Sequence, residues 1–280
     1  MSEKLILTID LGTQSLRAGL FNKKGETVAL AKVAYNPPYI TDHKGGAEQD
    51  ADFYFKALCQ ATNELKNKYP EAFSQIAGIT LDTVRDTAVM LDANYKPLHR
   101  CVIWLDQRLA SSKGYHNRPL SHRILFGLVG MKPTLLLNVH KSISLWYQEN
   151  VPELWAKCKY YGNISSYLTY CLTGEFTDSP ASIIGHFPLD FKKRAYYRSV
   201  RGLKNLFNVP IDKLPRLIQP GGILGKITPE SSQLTGIPVG TPLFACGSDK
   251  SCESLGVGAL KPEVAAISYG TASTVEVTVP

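Results

Sequence analysis

The sequence predicts an α/β fold with a mixed sheet flanked by helices, and three observations carry that expectation. Residues 5–10 and 16–21 are apolar, alternating runs separated by the turn-like Gly12-Thr13, and residues 27–33 follow a second turn at Lys24-Gly25, so the chain opens as an antiparallel meander. Phe53, Ala57, Leu58, Ala61 and Leu65 recur at helical spacing across residues 50–68, with Asp50 or Asp52 placed to cap that helix and Tyr69-Pro70 placed to stop it. Residues 76–81, 88–91 and 101–105 read as three more strands, the last running into Trp104-Leu105-Asp106-Gln107-Arg108. Strands on both sides of a helix imply a mixed sheet, and the antiparallel opening separates it from a dinucleotide-binding fold.

The pattern turns helical over residues 111–172, where Leu145, Trp146 and Leu154 supply apolar bulk and Pro152 interrupts. Residues 173–243 hold Gly/Pro-rich stretches such as Gln219-Pro220-Gly221-Gly222 and read as loops and short elements. A boundary is expected there, with residues 1–244 as one domain and 245–280 as the start of another. That last segment reads as a strand at 244–247, a helix at 249–256 and a strand at 264–269. A new sheet begun so late would lack partners and leave apolar surface, so the expectation is a truncated chain.

At 280 residues, 44% hydrophobic and 20% charged, the chain can bury a full core, which excludes collagenous, low-complexity and disordered classes. The net charge of +7 is scattered, so no nucleic-acid or membrane partner is expected. The best basic-aromatic patch, Lys192-Lys193-Arg194 with Tyr196, Tyr197 and Arg198, reads as solvated surface. Cys59, Cys101, Cys158, Cys171, Cys246 and Cys252 contain no C-x-x-C pair, which predicts reduced, mostly buried thiols. The opening residues carry no secretory leader, giving a cytoplasmic expectation, and Asn163-Ile164-Ser165 then matches a glycosylation acceptor by chance.

A phosphate-binding P-loop is excluded, because Pro220 stands where the first glycine belongs and Ile227 follows Gly225-Lys226. H-E-x-x-H, G-x-S-x-G and a complete G-x-G-x-x-G are also missing. The first positive signal is Asp10-Leu11-Gly12-Thr13-Gln14-Ser15, a strand-end carboxylate before a glycine-hydroxyl turn. Such a turn can cradle phosphate oxygens and the carboxylate can hold magnesium, or the segment is a plain hairpin turn. Ser268-Tyr269-Gly270-Thr271-Ala272-Ser273 offers a second cradle. In Cys246-Gly247-Ser248-Asp249-Lys250, Asp249 follows a strand at a helix start, as a functional carboxylate or as an N-cap.

Together the meander, the two loops and the strand-end aspartate resemble the FGGY family of carbohydrate kinases, within the actin-like and sugar-kinase ATPase superfamily. The resemblance covers essentially the whole chain, including Gly46-Ala47-Glu48-Gln49-Asp50 and Val102-Ile103-Trp104-Leu105-Asp106-Gln107-Arg108. It implies a ribonuclease-H-like first domain that binds sugar and the first elements of a similar nucleotide-binding domain, with a cleft that closes between the two. It implies ATP and Mg2+ as cofactors, and a sugar or polyol as the acceptor. Asp249 matches the family's general base. Asp10 is implied as the metal residue, and Gly12, Thr13, Gln14, Ser15, Gly270 and Thr271 as phosphate donors. Arg17 either steadies phosphate charge or forms a surface salt bridge.

Arg85-Asp86 resembles the Arg-Glu pair of glycerol kinases, for hydroxyl recognition or as a structural ion pair. Trp104 packs against a sugar skeleton or into the core. Two departures count against glycerol: Asp10-Leu11-Gly12 replaces Asp-Gln-Gly, and aliphatic residues at 135–137 replace a tyrosine. A competing expectation is a non-catalytic kinase half that binds sugar or a partner chain, such as a second copy in a homodimer.

Overall fold

The computed structural model describes residues 4–183, 185–197, 206–269 and 273–278. Strands β1 (Leu5–Leu11), β2 (Ser15–Phe21) and β3 (Thr27–Ala34) form the expected meander, each antiparallel to the next. Leu7, Ile9 and Leu11 point to one face of β1 and are fully buried, as the period of two requires. The two-residue strand β4 (Glu48–Gln49) leads into α1 (Ala51–Lys68), and the short α2 (Pro70–Phe73) follows.

Helix α1 buries Tyr54, Leu58, Ala61 and Leu65 against β2 and β3. Each such side chain contributes about 1–3 kcal/mol through lost apolar exposure. Neither aspartate caps the helix with its side chain. Asp50 is the N-cap residue but makes no side-chain cap bond, and Asp52 instead accepts a hydrogen bond from the Tyr167 hydroxyl.

Strand β5 (Ile76–Thr83) runs parallel to β1 in a register that sets Asp82 opposite Asp10. Strands β6 (Ala88–Leu91) and β7 (Cys101–Val102) start a second sheet. The strand expected over residues 101–105 stops at Val102, because the chain turns there: the Asp106 N–H donates to Ile103 O at 2.9 Å.

Helices α3 (Lys113–His116), α4 (Leu120–Leu128), α5 (Lys132–Lys141), α6 (Ile143–Asn150) and α7 (Pro152–Lys157) fill the expected helical region, and Pro152 opens α7. Strand β8 (Tyr160–Asn163) interrupts it before α8 (Ile164–Thr173). The four residues of β8, Tyr-Tyr-Gly-Asn, are too few to show a period that distinguishes strand from helix. Antiparallel pairing with β6 decides it and completes the order β4-β7-β6-β8.

The Gly/Pro-rich stretch yields short pieces: β9 (Thr177–Asp178), β10 (Leu189–Asp190), β11 (Ala195–Tyr196), β12 (Arg216–Leu217), β13 (Ile223–Lys226) and α9 (Pro229–Thr235). Lys192, Lys193 and Arg194 lie exposed in the turn between β10 and β11. The Tyr196 hydroxyl donates to Pro215 O at 3.1 Å, and Arg198 lies outside the described residues.

Strand β14 (Pro242–Phe244) inserts between β13 and β5, parallel to β5, in a six-stranded sheet ordered β13-β14-β5-β1-β2-β3. The strand expected over residues 244–247 thus lies earlier, at Pro242–Phe244, and is a paired member of the first sheet; residues 245–247 are not strand. Helix α10 (Asp249–Gly256) follows. After it, β15 (Ala265–Tyr269) and β16 (Ser273–Val277) form a hairpin paired only with itself among the described residues. Ile267, Tyr269, Val275 and Val277 are exposed on it. All six cysteines are free thiols; Cys101 and Cys158 are buried and the other four half-buried, fewer than expected. Among the described residues no helix is long and apolar enough to cross a membrane.

Candidate active site

Three chain segments bring carboxylates to one end of the large sheet. Asp10 and Asp82 are cross-strand neighbours near the ends of β1 and β5, and Asp249 opens α10 just past β14, the strand on the other side of β5. Burial pushes the Asp82 carboxyl up to about 8, and the charges of Asp10, Cys252 and Asp249 add to the effect. Burial also raises Asp249, against the opposing pull of the Lys250 N–H and of Arg85 and Lys250.

Asp249 is not the cap of its helix. Ser248 occupies that position, while Asp249 Oδ1 accepts the Lys250 N–H at 2.8 Å and lies 3.7 Å from Arg85 Nε. Beside it is a hollow of about 490 Å³ whose lining includes Arg85, Lys250, Ser251 and Glu276. Two thiols flank the aspartate. Cys246 Sγ donates to Leu81 O at 2.9 Å. A hydrogen bond shared with Cys246 brings the Cys252 thiol down to about 7.

The first glycine turn is a tight three-residue hairpin. The Gly12 N–H donates to Ser15 O at 3.0 Å, Gln14 O accepts the Tyr35 N–H at 2.9 Å, and Ser15 is buried at the start of β2. The Gly12 amide is therefore committed to closing the turn, so capacity for an anion rests on the other amides and on the Thr13 hydroxyl. Arg17 Nη1 lies 3.0 Å from Asp10 Oδ2 in a salt bridge with both groups well exposed. Gly270 and Thr271, the core of the second loop, lie outside the described residues.

Trp104 is 38% exposed and donates from Nε1 to Thr13 Oγ1 at 3.0 Å, which excludes the core-packing alternative and joins a sugar-site candidate to a phosphate-site candidate. A clamp made of the two family-like motifs holds it there. The Ile103 N–H donates to Ala47 O at 3.0 Å, and the Ala47 N–H to Asp106 Oδ2 at 2.9 Å. Arg108 forks between Asp106 Oδ2 at 2.8 Å and the buried Glu48 Oε1 at 2.6 Å. Its guanidinium lies 4.6 Å from the centre of the Trp146 ring.

Arg85 and Asp86 are neighbours in sequence but turn to different partners. Arg85 faces Asp249, whereas Asp86 Oδ2 pairs with His186 Nδ1 at 2.7 Å. Asp82 was not singled out as a site residue by the sequence reading. Its signal was the repeated form of the strand ends, Thr-Ile-Asp-Leu and Thr-Leu-Asp-Thr, which pattern alone does not mark as neighbours.

Comparison with known proteins shows which family the chain resembles in sequence and fold. The chain is 30% identical to the uncharacterized sugar kinase YgcE of Escherichia coli over 97% of its length, and 28% identical to xylulose kinase of Lactococcus lactis over 96%. It covers 47% and 52% of those proteins, so it spans about half the length of the curated relatives it matches. Its fold superposes on xylulose kinase from Lactobacillus acidophilus with a TM-score of 0.81, at 21% identity, over 97% of this chain and 54% of that one. The model of the FGGY carbohydrate kinase N-terminal domain matches residues 5–256. The chain belongs to the FGGY family of carbohydrate kinases.

Proposed function

We propose that the intact protein transfers the γ-phosphoryl group of ATP to a hydroxyl of a sugar or polyol, with Asp249 as general base. The observation that carries this reading is the Asp249 carboxylate at the head of α10. Its affinity for a proton is raised, and it stands at the sheet end that also presents Asp10 and Asp82. The hydroxyl oxygen forms a bond to the γ-phosphorus, the bond to the ADP oxygen breaks, and the hydroxyl proton passes to Asp249. A raised proton affinity suits a base that must hold that proton until product leaves.

The donor set at the strand ends fits a hard divalent cation. Asp10 and Asp82 put carboxylate oxygens side by side, and the burial that chiefly raises Asp82, together with the charge of Asp10, is of the kind a cation relieves. Asp10 and Asp82 would hold Mg2+, which supplies charge neutralisation on the transferring phosphoryl group when bound. Thr13, Gln14 and Ser15 in the first turn, with Gly12 shaping it, and Gly270 and Thr271 in the second, are assigned to the nucleotide phosphates. Arg85, Asp86 and Trp104 are assigned to the sugar. Residues 1–244 are taken as the sugar-binding domain, ending with β14, and 245–280 as the start of the nucleotide-binding domain.

Relatives named xylulose kinase and gluconokinase favour a pentulose or an aldonate as acceptor over glycerol. The test is ADP release by the full-length protein, with ATP and Mg2+, over polyols, pentuloses, hexuloses and D-gluconate. Turnover on one compound is expected, falling by at least about a thousandfold in Asp249→Asn with the fold intact. Near-wild-type turnover in the folded variant would remove Asp249 as base.

The exposed face of the β15–β16 hairpin favours a second reading, in which this half pairs with another copy and binds sugar without catalysis. Concentration-dependent mass in light scattering, with silence across the substrate panel, would support it.

A further inference from the structure

Asp86 is held more firmly than a partly exposed carboxylate ordinarily is. Its side chain is 30% exposed, yet both oxygens are engaged by one residue about 100 positions later in the chain. His186 donates its backbone N–H to Oδ1 at 3.3 Å and sets its ring Nδ1 2.7 Å from Oδ2. The backbone on both sides is unusual. Asp86 sits in the left-handed region at φ 54°, and Gly185 at φ 119°. A Cβ on Gly185 would lie 2.6 Å from Asp86 Oδ1, so only glycine lets the strand of chain before His186 close over the carboxylate. Phe207 stands perpendicular to the imidazole at 5.8 Å between ring centres, which fixes the ring plane.

A left-handed aspartate is disfavoured, and an ion pair near the surface returns little, so stability alone does not account for this construction. What it produces is a carboxylate of fixed orientation. Each oxygen accepts one bond from His186 and keeps a further lone pair for an incoming donor. We propose that His186 is a positioning residue that presents Asp86 to the hydroxyls of the acceptor sugar and so sets the affinity for that sugar. The inference rests on the sugar-binding role proposed for Asp86, and it adds the residue that makes that role geometrically specific.

The full-length protein is assayed on the acceptor selected by the panel, with D-xylulose and D-gluconate as first probes. The variants are Asp86→Ala, His186→Ala, His186→Asn, His186→Gln and the double Asp86→Ala/His186→Ala. The asparagine amide nitrogen falls where Nδ1 is, whereas that of glutamine falls nearer the Nε2 position. His186→Ala and His186→Gln are therefore expected to raise the sugar KM about tenfold, with kcat and the ATP KM little changed, and His186→Asn to return it to within about threefold of wild type. His186→Ala should add nothing to Asp86→Ala, since the two act as a unit.

Melting temperatures identify a merely structural role, which would lower Tm in every His186 variant without separating asparagine from glutamine. If His186→Ala does not fold, the asparagine and glutamine pair carries the contrast. Equal sugar KM in those two overturns the inference. Should Asp86→Ala leave the sugar KM unchanged, the underlying assignment of Asp86 fails. Should it raise KM while His186→Ala and His186→Gln do not, only the positioning role fails. Silence on every acceptor overturns both.

Discussion

Asp178 is a carboxyl removed from water, and its surroundings make it a pH-dependent element of stability. Ser165 and Ser166 each donate a hydroxyl to Oδ2 at 2.6 Å, and the Ser179 N–H reaches Oδ1 at 2.7 Å. Burial nonetheless dominates these bonds and raises the group to about 6. In the unfolded chain the same group titrates near the ordinary value of about 3.9. Between these two values the native state binds more protons than the unfolded state, so stability falls as pH rises through that window and levels off above it. Asp178→Asn should remove this dependence. Urea midpoints from pH 4.5 to 7 are expected to show wild type losing about 2 kcal/mol relative to the variant as pH rises, and parallel curves would refute the assignment. The sequence could not reveal this group, because its desolvation depends on α8 and β9 packing together. Asp10 was legible because it stands beside a glycine turn within one local stretch. Asp82 and His186 were not, since each acquires its partner from a distant segment.

At the scale of elements, the two-residue pairing of β4 with β7 does more than its length suggests, because Arg108 ties its ends together. Glu48 is 1% exposed and shares the guanidinium with Asp106, so truncating the arginine takes the permanent countercharge from two carboxylates and leaves Glu48 only the rings of His43 and His99, at 3.7 and 3.9 Å. Arg108→Ala should lower the unfolding free energy by about 3–5 kcal/mol, read from the denaturant midpoint. It should also free Trp104 from Thr13, seen as a shift in tryptophan emission. A loss under 1 kcal/mol would mean that the pair is not the clamp described. Both motifs were visible in the sequence as family-like signatures, but their bond to each other spans 60 positions and no periodicity encodes it. The opening meander and α1 were fully legible, because alternation and 3.6-residue spacing are local properties. Strand β8 was not, since its four residues take their state from β6 alone.

Across the whole molecule, the described chain holds the proposed sugar contacts and the proposed general base, while its relatives are about twice as long. The 280-residue chain on its own is expected to bind its acceptor sugar weakly, in the millimolar range by calorimetry, and to give no ATP-dependent turnover, because closure over both substrates needs a complete partner domain. Steady turnover by this chain alone would overturn that expectation. The position of β14 has a consequence for biogenesis. Leu243 pairs with Ile79, roughly 160 residues earlier, which makes this one of the slowest kinds of contact to form. Until the ribosome has released Pro242–Phe244, β5 has an open hydrogen-bonding edge. A nascent chain stopped just short of that strand is therefore a substrate for chaperones and a template for aggregation, and the segment that carries Asp249 becomes ordered only as that edge is sealed.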